Sequence, residues 1–237
     1  MNLLLIGYGK MGKTIEKITH DRHHDIIHII DEKNHADLKT LPATSIDMAI
    51  EFTTPESAYN NIRTCLERNI PVVSGTTGWL DKKPELDALC ETKKGAFFYA
   101  SNFSLGVNMF FKIADHMGDL MRIKDYSIEI SETHHTGKKD IPSGTAISLA
   151  ERLLAKSSRY KAWTVSTDPQ ENTIPIRSFR QKDVPGDHEV VFTSEDDDIS
   201  IRHRAVSRKG FAEGAILAAE WLVGKKGTFG MEDLLSI

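Results

Sequence analysis

The stretch His134-His135-Thr136-Gly137-Lys138-Lys139-Asp140-Ile141-Pro142-Ser143-Gly144-Thr145-Ala146 gathers two imidazoles, an ammonium group and a helix start into thirteen residues. Imidazole changes its charge near neutral pH, so His134 or His135 is a candidate proton donor to a reacting carbon or nitrogen. Pro142 suits the position at or just before the first turn of a helix. Ser143, Gly144 and Thr145 are small enough to leave that helix's unpaired N–H groups open to a ligand. Such amides bind anions, a carboxylate as well as a phosphate, and Lys138 is near enough in sequence to reach the same anion from the other side. The expected chemistry is a carboxylate clamp beside a proton donor, against the alternative of a solvated loop that only caps a helix. A metal fits poorly, because adjacent side chains of an extended segment point apart and no Cys or His stands at ligand spacing nearby.

These groups need a strand and a helix to hold them. Ser127 to Thr133 alternates as a strand does, and Ser143 to Leu154 has the helical pattern. A second candidate site opens the chain. Asn2 to Ile6 is a continuous apolar run that passes into Gly7-Tyr8-Gly9-Lys10-Met11-Gly12 and then a helical pattern through Ile15 and Ile18. A strand, a G-x-G-x-x-G turn and a helix are the setting in which a dinucleotide's pyrophosphate is bound. Gly7 permits the tight turn, Gly9 lets the backbone approach the pyrophosphate, and Gly12 lets helix and strand pack closely.

Ile26 to Ile30 reads as the next buried strand and ends at Asp31, 19 residues after Gly12. An acid there accepts hydrogen bonds from the adenine ribose hydroxyls. Asp31 and Glu32 together repel a 2′-phosphate, with Lys33 offsetting part of that, so NADH is expected to serve at least as well as NADPH.

Strands and helices go on alternating. Met48 to Phe52 is a strand, and Thr53-Thr54-Pro55-Glu56 is a capped helix start. Pro71 to Ser74 leads into the polar loop Gly75-Thr76-Thr77-Gly78. Lys82 to Lys93 is a helix, and Ala96 to Tyr99 leads into Ala100-Ser101-Asn102-Phe103-Ser104. Regular alternation requires crossover connections, so the fold class is α/β, a Rossmann-type, doubly wound parallel sheet.

After Ser104 the pattern changes. Val107, Phe110, Phe111, Ala114, Met117 and Met121 mark a long amphipathic helix. Beyond the histidine loop come strand-like segments: Trp163 to Ser166, Ile174 to Phe179, Glu189 to Thr193 and Ile199 to Val206. They argue for a second, α+β domain with an open mixed sheet, and an open face of that kind is a natural subunit interface. Ala212 to Val223 is a helix, and the final helix and tail are expected to return to the first domain.

Composition narrows the partners to small molecules. Thirty Lys and Arg against 34 Asp and Glu give a net charge of -4, which recruits neither nucleic acid nor an acidic membrane surface. No run reaches the roughly 18 apolar residues of a membrane span, and Leu3 to Ile6 is too short for a signal-peptide core, so a cytoplasmic protein is expected. Cys65 and Cys90 are expected to be reduced packing residues.

The string His134-His135-x-x-Lys138-x-Asp140-x-Pro142-Ser143-Gly144-Thr145-Ala146 resembles the signature of the dihydrodipicolinate reductase family, whose members serve the diaminopimelate and lysine pathway. Motifs in family order run from Gly7 to Phe229. The resemblance implies NAD(P)H-dependent reduction of a cyclic imine dicarboxylate to tetrahydrodipicolinate, with hydride delivered to substrate C4. It implies His134 as general acid, with Lys138 beside it. Substrate contacts would come from His135, Lys138, Ser143, Gly144 and Thr145, and from Arg208, whose guanidinium suits bidentate carboxylate binding.

Cofactor contacts would come from the first glycine turn (Gly7, Gly9, Lys10, Met11, Gly12), Asp31, Phe52 and Thr53. The loops Gly75-Thr76-Thr77 and Ala100-Ser101-Asn102-Phe103 match further cofactor-contacting loops. Residues 1–104 with 210–237 would bind the dinucleotide, and 105–209 would bind substrate and assemble a homotetramer. Two features depart from the family pattern. Many relatives have one more residue in the first glycine loop, and some carry an Arg where this chain has Thr54. Two other readings fit a plan of this kind: a small oxidoreductase acting on an amino-acid-derived aldehyde or hydroxy acid, and a catalytically silent nucleotide sensor.

Overall fold

The structure, a computed structural model, describes residues 1–121, 126–165, 170–207 and 209–236. The chain divides into two compact units, Met1–Leu105 with Lys209–Ile237, and Gly106–Arg208.

The first unit opens with β1 (Asn2–Ile6), α1 (Lys10–Asp21), β2 (Asp25–Ile30) and β3 (Met48–Glu51). It continues with α2 (Pro55–Glu67), β4 (Val72–Ser74), α3 (Lys83–Lys93) and β5 (Ala96–Tyr99). Leu3, Leu4, Leu5 and Ile6 are all buried because both faces of β1 are covered. Leu3 and Leu5 pack with Ile15 and Ile18 of α1, while Leu4 and Ile6 pack with Ala58, Ile62 and Leu66 of α2 and Leu86 of α3. Alternate residues of one strand thus feed two cores, which makes the sheet doubly wound. β1 pairs in parallel with β2 on one side and β3 on the other. The winding reverses between β1 and β3, and ligands of such sheets bind beyond the carboxyl ends of the strands at this point.

The second unit begins with α4 (Leu105–Leu120), β6 (Ser127–His134) and α5 (Gly144–Lys156), followed by β7 (Ala162–Thr164), β8 (Thr173–Arg180), β9 (Gly186–Thr193) and β10 (Asp198–Ala205). Its five-stranded sheet has the order β10-β9-β6-β8-β7. β6 runs antiparallel to β9 and parallel to β8, so the sheet is mixed. Val107, Phe110 and Ala114 of α4 and Leu149 and Leu153 of α5 pack with Ile130, Ile176, Val190 and Phe192 on one face.

Along β6 the buried residues are Ile128, Ile130, Glu132 and His134, a period of two that ends in two polar groups. The opposite face carries Arg177 in an ion pair with Glu129 at 2.8 Å, Asp187 held by Arg202 and Arg204, and an exposed Phe179. β9 begins at Gly186, three residues ahead of the strand expected from Glu189. Gly and Asp are poor strand formers, but pairing to β6 on one side and β10 on the other extends the strand through them.

The chain then returns to the first unit with α6 (Lys209–Leu222), β11 (Gly227–Phe229) and α7 (Met231–Leu235). Ala212, Ala215 and Ala219 of α6 pack on the same face of the first sheet as α1. β11, too short to be read from the sequence, pairs in parallel with β5 and completes the order β11-β5-β4-β3-β1-β2. Cys65 and Cys90 are both free and buried, and burial pushes the Cys65 thiol up to about 12. No helix among the described residues is long and apolar enough to cross a membrane.

Gly214 fixes how closely α6 approaches the strand-end loops, since a Cβ there would stand 1.8 Å from the Phe103 carbonyl oxygen. Backbone cannot swing aside as a side chain can. Gly214→Ala is therefore expected to destabilise the protein by about 2 kcal/mol or more, measured by urea unfolding.

Candidate active site

In the first unit, the loops of interest leave the carboxyl ends of β1 to β5. Gly7 has φ +98°, and a Cβ there would lie 1.9 Å from the Phe52 carbonyl oxygen. Only glycine makes this turn. A Cβ at Gly12 would lie 2.2 Å from the Gly7 carbonyl oxygen, so strand and helix meet as closely as the spacing implied. Gly9 differs from both, because a Cβ there would meet nothing within 4 Å. It is the N-cap of α1 and offers no side-chain cap, so the first amides of that helix, at Lys10 and Met11, carry no intrahelical or capping bond. A glycine that the fold itself does not demand, beside open helix amides, fits a dinucleotide pyrophosphate.

The acid at the end of β2 is half-buried. Its Oδ1 accepts the Lys33 amide at 2.8 Å, and the Asp31 amide donates to Asn34 at 2.7 Å. That turn holds the Asp31 carboxylate beside the glycine loop, whose Gly7 amide donates to the Ile30 carbonyl at 2.8 Å.

The loops after β3 and β4 are tied together by a residue the sequence did not single out. Glu51 is fully buried and accepts hydrogen bonds from Ser74 Oγ at 2.6 Å, Thr76 Oγ1 at 3.0 Å and the hydroxyl of Thr53. Thr76 Oγ1 also accepts the Thr53 amide at 2.8 Å. Burial pushes the Glu51 carboxyl up, against the pull of its hydroxyl donors. Gly75 makes room for the Phe52 ring, which a Cβ would meet at 2.1 Å. Thr77 and Ser101 are exposed and Asn102 half-buried, while Ala100 and Phe103 are buried. Phe103 packs its ring against Phe52 and Phe98 at 5.6 and 5.9 Å and so shapes its loop from beneath.

In the second unit, His134 is buried, and its Nδ1 lies 3.5 Å from Glu132 Oε2. Both project from the core face of β6, two residues apart. His188, paired across to Glu132 on β9, brings its Nε2 within 3.8 Å of the same carboxylate. The two imidazoles meet edge to face with ring centroids 5.0 Å apart. Each Glu132 oxygen accepts the Ser143 amide at 3.1 Å, and Arg180 Nη1 stands 3.6 Å away.

Ser143 is the N-cap of α5; its hydroxyl accepts the Ala146 amide at 3.2 Å and sits 3.2 Å from His188 Nε2. The Gly144 and Thr145 amides have no protein acceptor among the described residues, and a Cβ at Gly144 would meet nothing within 4 Å. This is an open, capped helix start, and amides of this kind are able to hold an anion. Pro142, preceded by a cis peptide bond, is buried just ahead of the cap.

Lys138 Nζ pairs with Asp140 at 2.8 Å. Arg180 fixes this loop, donating to the Asp140 carbonyl at 2.6 Å and the Lys138 carbonyl at 3.3 Å. His135 is half-buried and folds over Gly137, where a Cβ would stand 3.3 Å from Nδ1. Arg208 lies outside the described residues.

Burial pulls the His134 imidazolium below its ordinary value; Glu132 opposes this, and Lys138 and Arg180 add to it. Burial, with the neighbouring His134, pushes His188 down to about 4. Burial also raises the Glu132 carboxyl, but the hydroxyls of Ser143 and Ser178, the Ser143 amide and the neighbouring His134 together outweigh it and leave the net shift downward. Sequence spacing missed Glu132, His188 and Arg180. The alternation along β6 carried a signal for Glu132, which shares a face with His134. His188 could not be found without the register of β9. Glu132, His134 and His188 also bring possible ligand atoms within 4.8 Å of one another. A cation there would sit against the Arg180 guanidinium, on a carboxylate already bonded to an amide, so the cluster suits a proton better than a metal.

Open helix amides at the switch point of a doubly wound sheet, and a buried imidazole beside a second open helix start, belong to the nicotinamide-dependent oxidoreductases. Comparison with known proteins narrows the class. Family models described as the N-terminus and the C-terminus of dihydrodipicolinate reductase match residues 1–103 and 106–235. The 4-hydroxy-tetrahydrodipicolinate reductase of Christiangramia forsetii is 48% identical over 239 residues, covering 100% of this chain and 98% of that protein. The enzyme of the same name from Methanoregula boonei is 37% identical, covering 81% of this chain and 75% of that protein. Among solved structures, the dipicolinate-bound dihydrodipicolinate reductase from Paenisporosarcina sp. TG-14 superposes with a TM-score of 0.81 at 25% identity, covering 98% and 99% of the two chains. The chain belongs to the dihydrodipicolinate reductase family.

The contrast among the glycines is directly testable. Gly9→Ala should leave the unfolding midpoint nearly unchanged yet weaken NADH binding at least about tenfold, as read by fluorescence titration, if a pyrophosphate is to occupy the space that the protein leaves open there. Gly7→Ala should lower the unfolding midpoint even without nucleotide.

Proposed function

We propose that the chain catalyses the NAD(P)H-dependent reduction of 4-hydroxy-tetrahydrodipicolinate, whose 4-hydroxyl leaves as water, to tetrahydrodipicolinate in lysine and diaminopimelate synthesis, with His134 as general acid. The observation that carries the reading is that the buried imidazole and the open start of α5 share one carboxylate, Glu132. A substrate with a ring to protonate and a carboxylate to hold needs both in one place.

The reduced nicotinamide, when bound, supplies the hydride to substrate C4. Gly9, with the Lys10, Met11 and Gly12 amides, would hold its pyrophosphate, Asp31 its adenine ribose, and the Phe52-Thr53, Gly75-Thr76-Thr77 and Ala100-Phe103 loops its nicotinamide half. Asp31, followed by the exposed Glu32, disfavours a 2′-phosphate, so NADH serves at least as well as NADPH. One substrate carboxylate lies on the Gly144 and Thr145 amides with Lys138, and the other on His135 and Arg208. The dipicolinate carried by the Paenisporosarcina relative, a planar ring with two carboxylates, supports this assignment. The substrate ring becomes an electron-rich enamine once reduced, and His134 protonates it.

The residues that would carry out cofactor binding fall in the unit Met1–Leu105 with Lys209–Ile237, and those for substrate in Gly106–Arg208. The uncovered face of the mixed sheet, with Phe179 52% exposed, supports a homotetramer built through that sheet. The reading places the enzyme in the cytoplasm.

His134→Gln should lower kcat by roughly 10²- to 10⁴-fold while leaving NADH affinity within about twofold. Equal losses in both would remove the assigned role. Lys138→Ala should raise the substrate KM by about 10- to 100-fold, as expected for loss of a charge-assisted carboxylate contact. A strong preference for NADPH in paired Michaelis constants would contradict the part given to Asp31 and Glu32.

The pH profile has a defined sign. The acid must be protonated, so activity is lost as pH rises through the His134 value, which burial holds low in the free enzyme. A bound dianion raises it. The alkaline limb of kcat should therefore lie at higher pH than that of kcat/KM.

A further inference from the structure

We propose that Glu132 is the positioning residue of this reaction: it turns His134 so that Nδ1–H faces inward and Nε2 exchanges the proton with substrate, and through the Ser143 amide it ties that imidazole to the anion-binding start of α5. The inference rests on the reading of His134 as general acid. Neither Glu132 nor its cross-strand neighbour His188 belongs to the loop that drew attention in the sequence.

Three observations carry it. First, His134 Nδ1 is sealed from solvent without a hydrogen-bond partner among the described residues, and the Glu132 oxygen at 3.5 Å is the acceptor beside it. A contact of that length is typical of a resting catalytic pair, which closes to a full hydrogen bond when the imidazole gains charge. Second, Glu132 cannot turn away. Its oxygens share the Ser143 amide, each at 3.1 Å, and its register position faces His188 on β9 and Ser178 on β8. Third, the other edge of the ring is kept clear, since a Cβ at Gly186 would stand 3.2 Å from His134 Nε2. One nitrogen is bracketed by a fixed anion, and the other faces a residue with no side chain.

The charged groups around His134 come from every element packed on it. Glu132 on β6 and Asp140 in the loop favour the imidazolium, whereas Arg180 on β8 and Lys138 oppose it. His188 on β9 stays neutral, its value pushed down to about 4. Without Glu132, a buried imidazole next to two cations would hold a second proton still less readily. With it, and with a bound dianion alongside, the imidazolium gives its Nε2 proton to the substrate carbon and keeps its second proton on Nδ1 against Glu132. The Nε2 proton is then restored from water. The geometry is that of a carboxylate-oriented histidine, with the carboxylate supplied by the same strand.

The test uses the full chain with Glu132→Gln, which keeps the shape and an acceptor for the Ser143 amide but removes the charge. Expected are a fall in kcat of about tenfold or more, an unchanged KM for NADH, and an alkaline limb of the kcat profile displaced to lower pH. A lowered unfolding midpoint with the limb in its original place would show a merely structural carboxylate and overturn the proposal.

Should that variant not fold, the unmutated protein decides the matter through ¹⁵N imidazole shifts, with the His134 signal assigned by its loss in His134→Gln. Above its titration, His134 should be the Nδ1–H tautomer, and the Nε2–H tautomer would overturn the proposal. Activity should also survive exhaustive treatment with a chelator. Its loss would assign Glu132, His134 and His188 to a metal instead. Retained turnover in His134→Gln is the separate failure of the general-acid reading, distinguishable because the tautomer is read without turnover.

Discussion

A carboxylate with no access to water organises the second unit. Glu132 lies at the end of a strand whose preceding inward residues, Ile128 and Ile130, belong to the apolar core. A lone anion there would cost several kcal/mol, so its surroundings must supply hydrogen-bond donors and positive charge. The Ser143 amide from the cap of α5 donates to it and the Arg180 guanidinium of β8 stands 3.6 Å away, while the imidazoles of His134 on β6 and His188 on β9 come within 3.5 and 3.8 Å. Each of these groups is one whose position would matter to the proposed chemistry. The need to satisfy one buried charge therefore sets the helix start, the histidine loop and the strand register together.

The same logic recurs in the first unit with a different outcome. Glu51 also ends a strand with its carboxyl buried, but its partners are hydroxyls from Thr53, Ser74 and Thr76 rather than cations. Burial then prevails, and its proton affinity rises, whereas Ser143, Ser178 and the nearby His134 together keep Glu132 low. One buried acid tends towards neutrality and serves to lash two loops together. The other stays charged and can act on an imidazole. The difference lies in the donors, since both are buried glutamates near the carboxyl end of a strand.

Much of this architecture is legible in the amino-acid order because its signals are local. The glycine spacing after β1 specifies a backbone path, and Gly7, Gly9 and Gly12 each meet the surroundings their positions imply. The Pro142-Ser143-Gly144-Thr145 segment encodes a capped helix with open amides, and the alternation over Ser127 to Thr133 encodes β6. What escaped is non-local. His188 sits behind Gly186 and Asp187, residues that disfavour strands, and its place opposite Glu132 is set by pairing with a strand more than fifty residues earlier. Glu132 was visible as a residue, but a glutamate in an alternating strand reads as a solvent-facing side chain until its neighbours are known. Arg180, which holds the histidine loop through two carbonyls, follows a chain reversal that no short motif records.

The ion pair between Lys138 and Asp140 has a bearing on affinity. In the resting protein the lysine already has a carboxylate companion, supplied by its own loop. On the proposed reading, a ligand carboxylate would trade places with Asp140 on the lysine, an exchange close to even. Its gain would come from the Gly144 and Thr145 amides, which have no resident acceptor among the described residues and which the loop's own acid does not reach. The helix start would then set the affinity, and the lysine would keep its charge compensated until the ligand arrives.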